Sequence, residues 1–281
     1  MLRPLAAAVL ALAVTATNAQ TLDKIRKSGV ITLGYIDGAA PFSYTDGNSE
    51  AQGYSVELCR SVADGIAAQL KRTGVKTRWV KLTIQNRIDA VRKGQVDIEC
   101  STTTWTLSRQ QLVDFSLVTF VDGGSLLVKS DAEIGKLADF DGKRIAVITG
   151  TTTERALRDA LTRRKAKAEL VSIKTRDEGL TLLREGQVDG LASDRTALIG
   201  VVVMSGRGGG QYKLLDHDFS IEQYALMLRR NDADFRLAVN RVLARIYRSG
   251  DIEQIYGRWL GPLGPPSMLL SATYFIQNLA E

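Results

Sequence analysis

A run of hydroxyl side chains follows one of the apolar strand patterns of the sequence. The strand pattern is Val96–Ile98; Ser101 and Thr102–Thr104 come shortly after it, and Arg109 lies five residues beyond Thr104. Hydroxyl groups donate hydrogen bonds to anions, and a planar guanidinium can hold a carboxylate or a phosphate by two parallel hydrogen bonds. The segment therefore predicts a small anionic ligand at the end of a strand.

A second segment, 147–155, has the features of another anion site. A strand pattern ends there, Gly150 permits a tight turn, and Thr151 and Thr152 begin a helix pattern. The first backbone N–H groups of a helix lack intrahelical partners and carry partial positive charge. Asp194, at the start of another helix pattern, can accept from an ammonium group. Together the two segments suit an α-amino-acid zwitterion, although Thr152 and Asp194 are also acceptable helix N-caps.

The elements that must position these residues alternate between strand and helix patterns. Such alternation predicts an α/β fold with mostly parallel sheets. The strand patterns are Val30–Leu33, Trp79–Leu82, Val96–Ile98, Leu126–Val128, Ile145–Ile148, Leu170–Ile173, Val188–Ala192 and Ala225–Leu228. The helix patterns are Ser55–Leu70, Gln85–Arg92, Thr152–Thr162, Glu178–Arg184, Arg195–Val203 and Ala233–Ser249.

One internal echo indicates that the chain forms two lobes of similar build. The segment Arg-Lys-Gly-Gln-Val-Asp at 92–97 returns as Arg-Glu-Gly-Gln-Val-Asp at 184–189. In both places a helix pattern ends at a glycine and a strand pattern begins. Open parallel sheets bind ligands beyond the carboxyl ends of their strands. Two facing lobes would therefore bring the Thr102–Thr104 hydroxyls and Arg109 opposite Asp194.

Nine segments carry a resemblance to a known family over nearly all of the chain after its first 20 residues. The chain resembles the periplasmic solute-binding proteins of polar amino-acid ABC importers, and it is most similar to their glutamate/aspartate-binding branch. The segments are TLDKIRKSGVITLGY (21–35), PFSY (41–44), GYSVELC (53–59), LTIQNRI (82–88), GQVDIECSTTT (94–104), SRQQLVDFS (108–116), VITGTTTE (147–154), GQVDGLASD (186–194) and YALMLRRND (224–232).

The resemblance implies a particular architecture. It implies the two-lobed periplasmic binding protein fold of type II, with a ligand cleft between the lobes and two crossing hinge strands. We expect residues 21–121 with 223–281 in lobe 1 and 122–222 in lobe 2, rather than one continuous sheet. The crossings are expected near Val118–Ser125 and Ser220–Tyr224.

The resemblance also assigns roles to residues of the cleft. The ligand's α-carboxylate falls on Thr102, Thr104, Arg109 and Thr152, with the turn at Thr151 beside it, and the ammonium group falls on Asp194.

Most of the residues expected to select the ligand side chain differ from those usual in the glutamate/aspartate-binding branch. Ile36 stands where that branch usually has arginine, Ile84 where it has serine, and Arg176 where it has histidine, whereas Arg87 is retained. A side-chain carboxylate could pair with Arg87 and Arg176. A less polar side chain against Ile36 and Ile84 is an alternative. Between these, we favour glutamate or aspartate as the ligand.

The N-terminus and the composition indicate an exported protein. Residues 1–19 read as a cleavable signal peptide, with Arg3 followed by an apolar run and small residues, so we expect a periplasmic location. The net charge of +6 is scattered and lacks a nucleic-acid-binding motif, so no nucleic-acid partner is expected. In an oxidising compartment Cys59 and Cys100 could form a disulfide or could be two small core residues.

No catalytic motif is evident, and the expected function is binding rather than catalysis. The single histidine, His217, lies in a loop-like segment, and two cysteines with one histidine make no zinc pattern, so we expect neither a metal nor a cofactor. The expected partners are an L-amino acid and the permease subunits of an ABC importer, with the protein a monomer. Two alternatives remain open: a dehydratase on the same fold, and a sensor subunit that delivers an amino acid to a membrane receptor.

Overall fold

The computed structural model describes residues 21–206 and 210–280. The expected signal peptide lies outside the described residues. The α-helices are α1 (Thr21–Ser28), α2 (Tyr54–Gln69), α3 (Arg87–Arg92), α4 (Leu107–Gln110), α5 (Thr152–Arg164), α6 (Arg176–Arg184), α7 (Arg195–Met204), α8 (Ala233–Ser249), α9 (Asp251–Trp259) and α10 (Met268–Ile276). The strands are β1 (Val30–Ile36), β2 (Tyr44–Thr45), β3 (Ala51–Gln52), β4 (Lys76–Leu82), β5 (Ile98–Glu99), β6 (Asp114–Lys129), β7 (Arg144–Ile148), β8 (Glu169–Ile173), β9 (Gly190–Asp194), β10 (Tyr212–Leu214) and β11 (Ser220–Leu228).

The fold is a two-lobed α/β fold in which each lobe has a parallel set of strands. In lobe 1, β1 pairs in parallel with β4 and β5; in lobe 2, β7 pairs in parallel with β8 and β9. Between the sets, β6 and β11 run antiparallel to each other and join them in the order β4-β1-β5-β11-β6-β9-β7-β8. The expectation that the lobes would not share one continuous sheet is therefore wrong, because the crossing strands hydrogen-bond to the sheets on both sides.

Separate hydrophobic cores nevertheless define the two lobes. The lobe 1 core packs α2 and α8 against the sheet and includes Leu58 and Leu243. The lobe 2 core lies on both faces of β7, with Leu157 of α5 on one side and Leu183 of α6 on the other. Burial of these apolar side chains is the main stabilising contribution in each lobe.

The repeated Gly-Gln-Val-Asp segment has the same role in both lobes. Asp97 accepts a hydrogen bond from the Thr32 backbone N–H at 2.8 Å, and Asp189 accepts one from the Arg144 backbone N–H at 2.8 Å. In each lobe the aspartate side chain thus binds the backbone of the neighbouring first strand. The echo therefore reflects equivalent supersecondary structure in the two lobes.

The crossing strands are long enough to serve both lobes. The 16 residues of β6 span about 50 Å at the usual rise per residue of a strand. The ladder with β11 runs from the Ser220–Gly124 pair to the Leu228–Asp114 pair, and its register shifts on both sides of Ala225. Such irregularities bend a strand, so the crossing region is bent next to the cleft.

The segment after Gly261 packs on lobe 1. The Tyr274 hydroxyl of α10 lies 2.7 Å from the Tyr54 hydroxyl, and the Gln277 side chain pairs with both backbone groups of Val118 on β6. The opposite face of α10 leaves apolar side chains such as Phe275 exposed. Within the described residues, no helix combines the length and the apolar character needed to cross a bilayer.

Cys59 and Cys100 form a disulfide, the pairing that the sequence left open. The bridge joins α2 to the segment directly after β5, with the two Cα atoms 6.1 Å apart. The two residues are separated by 41 positions, so the bridge closes a substantial loop of the unfolded chain.

Removal of the bridge is expected to destabilise the protein by restoring the entropy of the unfolded chain. For Cys59→Ala/Cys100→Ala we expect a loss of about 3–4 kcal/mol in the free energy of unfolding, measured by urea denaturation. Reductant should destabilise the wild type similarly and leave the double variant unchanged. Equal stability of the oxidised and reduced wild type would contradict the prediction.

Candidate functional site

A small enclosed cavity lies between the lobes, beyond the carboxyl ends of β5, β7 and β9. Its lining residues are Ile84, Arg87, Thr102, Thr104, Ile148, Thr151, Thr152, Thr153, Arg176, Ala192, Ser193 and Asp194. Except for Arg109 and Ile36, every residue that the sequence assigned to ligand binding or specificity is in this set. The cavity volume is about 20 Å³, room for about one water molecule. An amino acid can therefore enter only if the walls of the cavity move apart.

On the lobe 1 side, the hydroxyl segment is held against crossing strand β11. The Ala225 N–H donates to the Thr103 carbonyl at 3.2 Å, and the Trp105 N–H donates to the Gln223 carbonyl at 2.7 Å. Arg109 does not line the cavity; its Nη1 donates to the Thr104 carbonyl oxygen at 2.7 Å. The backbone and the guanidinium thus fix the hydroxyl segment next to the hinge.

On the lobe 2 side, the N-terminus of α5 faces the cavity. Gly150 adopts a φ of +78°, which favours glycine, and Thr151 is the N-cap, its hydroxyl accepting from the Glu154 N–H at 3.1 Å. The alternative that Thr152 is the N-cap is therefore wrong. The Thr152 hydroxyl is directed across the cleft instead, where its oxygen lies 3.1 Å from that of Thr104.

Asp194 ends β9 and turns its carboxylate into the cavity region. Although Asp194 is the residue before α7, its carboxylate makes no capping hydrogen bond to that helix and can bind other groups. It accepts from the Thr153 hydroxyl at 2.9 Å and from the Tyr224 hydroxyl at 2.6 Å. Tyr224 is on β11, so the crossing strand also orients this carboxylate.

Two arginines from opposite lobes face the same cavity. Arg176 of α6 donates from Nε to the Ser193 hydroxyl at 2.8 Å. Arg87 of α3 is 4% exposed, and its Nε has no hydrogen-bond partner among the described residues. Burial lowers the pKa of Arg87, and the negative charge of Glu99 partly offsets this. A buried N–H group without an acceptor is costly, so Nε of Arg87 is an unused donor facing the cavity.

The two isoleucines that replace polar residues of the resembled branch lie in different places. Ile84 lines the enclosed cavity. Ile36 lines a neighbouring, more open pocket of about 420 Å³, which shares Ile84, Ile148 and Arg176 with the cavity. Ile36 is therefore adjacent to the cavity rather than part of its wall.

The sequence did not point to three carboxyl groups near the cleft, of which Glu99 and Glu222 are buried and Asp122 is half-buried. Asp122 and Glu222 face each other in the ladder of the crossing strands, and Glu99 lies at the end of β5. Burial and the nearby Asp194 raise the pKa of Asp122 to about 7. The same two causes raise the pKa of Glu222, whereas burial alone raises that of Glu99. An acidic residue in a strand pattern is usually solvated, so the sequence offered no signal for them.

No group of three or more metal-ligating side chains occurs in the part of the chain that the structure describes. His217 is exposed.

The fold and the enclosed interlobe cavity define a solute-binding protein of two lobes. The chain belongs to the bacterial extracellular solute-binding proteins, family 3, whose model matches residues 31–262.

Two named amino-acid-binding proteins align with most of the chain. An L-glutamate/L-aspartate-binding protein of Pseudomonas aeruginosa is 34% identical over 250 residues, which are 89% of this chain and 82% of the relative. A glutamate/aspartate import solute-binding protein of Escherichia coli is 30% identical over 278 residues, 95% of this chain and 92% of the relative. A solved structure of an ancestral amino-acid-binding protein, described as a precursor of cyclohexadienyl dehydratase, matches with a TM-score of 0.72 and 26% identity, over 86% of this chain and 99% of that one.

The raised pKa of the Asp122 carboxyl is expected to make folding pH-dependent. Because its pKa rises from 3.8 to about 7 on folding, the unfolded chain loses this proton at lower pH than the folded chain does. The free energy of unfolding should therefore fall as the pH rises from about 4 to about 7. In Asp122→Asn this fall should be shallower, as measured by urea denaturation at several pH values. The exposed Asp89→Asn is the control; equal slopes in the wild type and Asp122→Asn would contradict the assignment.

Close contact between the lobes depends on Gly200 of α7. A Cβ placed there would lie 1.9 Å from the Ala40 carbonyl oxygen of lobe 1. Gly200→Ala should favour the helix locally but prevent the lobes from closing fully, so that ligand affinity falls about tenfold or more while thermal stability is kept. The probe is the amino acid that most stabilises the wild type in a thermal-shift screen of the twenty amino acids.

Gly257→Ala is the matched control for Gly200→Ala. It changes a helical glycine in α9, where an added Cβ meets no atom within 4 Å. Small-angle scattering should show ligand-induced contraction for the wild type and Gly257→Ala, but less for Gly200→Ala. Unchanged affinity and full contraction in Gly200→Ala would contradict the role of this contact.

Proposed function

We propose that this protein captures L-glutamate or L-aspartate in the periplasm and delivers it to the permease of an ABC importer. Family membership supports the binding of a solute outside the cytoplasm. The names of the two relatives support an acidic amino acid and import. The signal-peptide pattern of residues 1–19 supports the location.

The observation that carries the proposal is the buried Nε of Arg87, which has no hydrogen-bond partner among the described residues. Arg87 is buried in a cavity whose wall also contains Arg176. The two positive charges disfavour each other, since Arg176 lowers the pKa of Arg87. A side-chain carboxylate between them would supply the missing acceptor and relieve the repulsion, whereas an amide would supply no charge.

The remaining groups of the cavity suit the α-amino and α-carboxylate groups. Asp194 is a buried acceptor for the ammonium group. Thr102, Thr104, Arg109 and Thr152, with the turn at Thr151, are the groups that the resemblance assigns to the carboxylate. The guanidinium of Arg109 has five N–H donors, so its hydrogen bond from Nη1 to the Thr104 carbonyl leaves other donors for the carboxylate.

Binding is proposed to be coupled to closure of the lobes about the crossing strands. We assign residues 21–121 and 223–281 to lobe 1 and 122–222 to lobe 2, with the boundaries on β6 and β11. The small volume of the cavity supports this coupling, because the walls must separate before a ligand enters.

The alternative function is that of a dehydratase. The likeness to a precursor of cyclohexadienyl dehydratase is the observation that favours it. We favour reversible binding because the two relatives named above are binding proteins. Incubation with candidate amino acids and prephenate-like acids, followed by mass spectrometry of the small molecules, separates the two. Recovery of unchanged ligand supports a binding protein, and product formation in turnover amounts would overturn it.

Substitution of Arg87 tests the ligand assignment directly. Arg87→Ala should weaken glutamate and aspartate by a hundredfold or more, because their side-chain carboxylate would be buried without its partner. Glutamine and asparagine should be affected far less. Isothermal titration calorimetry with the four ligands measures both effects.

Arg92→Ala is the matched control, since Arg92 ends the same helix and its side chain is exposed. It should leave all four affinities unchanged. If Arg87→Ala weakens acids and amides equally, Arg87 does not read the side chain. If the wild type binds neither glutamate nor aspartate, the proposed ligand is wrong.

A further inference from the structure

The carboxylate of Glu222 lies between hydroxyl groups that come from opposite lobes. Its Oε2 accepts from Thr104 Oγ1 of lobe 1 at 2.7 Å and from Thr152 Oγ1 of lobe 2 at 2.8 Å, while Oε1 accepts from Ser220 Oγ at 2.7 Å. Glu222 is 2% exposed and belongs to crossing strand β11.

The contact with Thr104 belongs to the hinge region itself. An isolated bridge joins Thr104 to Tyr224, two positions beyond Glu222 on β11. Hydrogen bonds on both sides of Thr104 hold the same loop to that strand. The Thr104–Glu222 contact can therefore persist when the lobes separate.

The contact with Thr152 differs, because Thr152 is carried by α5 on the opposite side of the cleft. Separation of the lobes would move it away from Glu222 and Thr104. The Thr152–Glu222 hydrogen bond is consequently a contact of the closed arrangement. A buried hydrogen bond to a carboxylate is stronger than one between neutral groups, so its loss disfavours opening.

The hydroxyl groups also take a defined orientation from this carboxylate. A threonine hydroxyl has one proton, and both protons can point at the same oxygen of Glu222. No basic side chain forms an ion pair with Glu222 among the described residues, so hydroxyl groups supply its hydrogen bonds. Its charge nevertheless opposes the drop that burial causes in the pKa of Arg109.

We propose that Glu222 is a positioning residue that links the two lobes through Thr104 and Thr152 and thereby favours the closed cleft. Its effect on affinity rests on the proposed function, because that effect requires a ligand bound between the lobes. Its effect on closure can be measured with whichever amino acid stabilises the wild type, so it does not require that glutamate be the ligand.

Two substitutions at Glu222 distinguish loss of its contact between the lobes from a general loss of stability in β11. In Glu222→Ala the acceptor is lost, so the variant saturated with the amino acid that most stabilises the wild type should close less fully. Its radius of gyration by small-angle scattering should then exceed that of the ligand-saturated wild type. Affinity for L-glutamate should fall about tenfold or more, since a hydrogen bond to a charged group is lost. In Glu222→Gln the amide oxygen still accepts, so both quantities should stay close to those of the wild type.

Gln223→Ala is the matched control, because the neighbouring side chain on β11 is exposed. It should change neither closure nor affinity. Thr152→Val removes the same link from the other lobe, so Glu222→Ala/Thr152→Val should be no more open than Glu222→Ala alone.

The scattering of the ligand-saturated variants decides the proposal whether or not glutamate is the ligand, because the amino acid used is the one that stabilises the wild type. An unchanged radius of gyration in Glu222→Ala, or additive effects in the double variant, would overturn it. Wild-type protein that does not bind glutamate would instead overturn the proposed ligand and leave the closure result standing.

Discussion

Charged side chains buried between the lobes govern both the fold and the cleft. Arg87, Arg109 and Arg176 are buried, and Asp194 and Glu222 are buried beside them. Charges removed from water must be paired or hydrogen-bonded. Residues distant in sequence meet this requirement only when both lobes face each other, so the fold and the cleft are parts of the same arrangement.

The crossing strands bring hinge and cleft into direct contact. β11 supplies Glu222, which binds hydroxyl groups of both lobes, and Tyr224, which donates to Asp194. Asp122 on β6 lies within reach of the same tyrosine, at 3.3 Å. A rotation of one lobe must therefore alter the hydrogen bonds of the cleft. The converse also holds, because occupancy of the cleft and the angle of the hinge are linked equilibria.

Sequence patterns located most of the elements, and their failures have physical reasons. α8 matches its pattern, Ala233–Ser249, at both ends, because its apolar stripe is continuous. β6 was recognised only at Leu126–Val128, since Asp122, Gly123 and Gly124 interrupt its apolar run. The hydroxyl groups of the cleft could be found because they follow strands. Glu222 could not be found, because its partners are distant in sequence and meet it only across the cleft.

The positions of the positive charges favour closure of the cleft on an acidic ligand. Ile36 stands where the resembled branch has arginine in lobe 1, whereas Arg176 adds a guanidinium from lobe 2. Arg87 of lobe 1 and Arg176 therefore approach each other only when the lobes come together, and each disfavours the charge of the other. Under the proposed function, a ligand with a second carboxylate removes that repulsion at the moment of closure. A ligand without one leaves it in place, so the closed state itself discriminates between acidic and neutral amino acids.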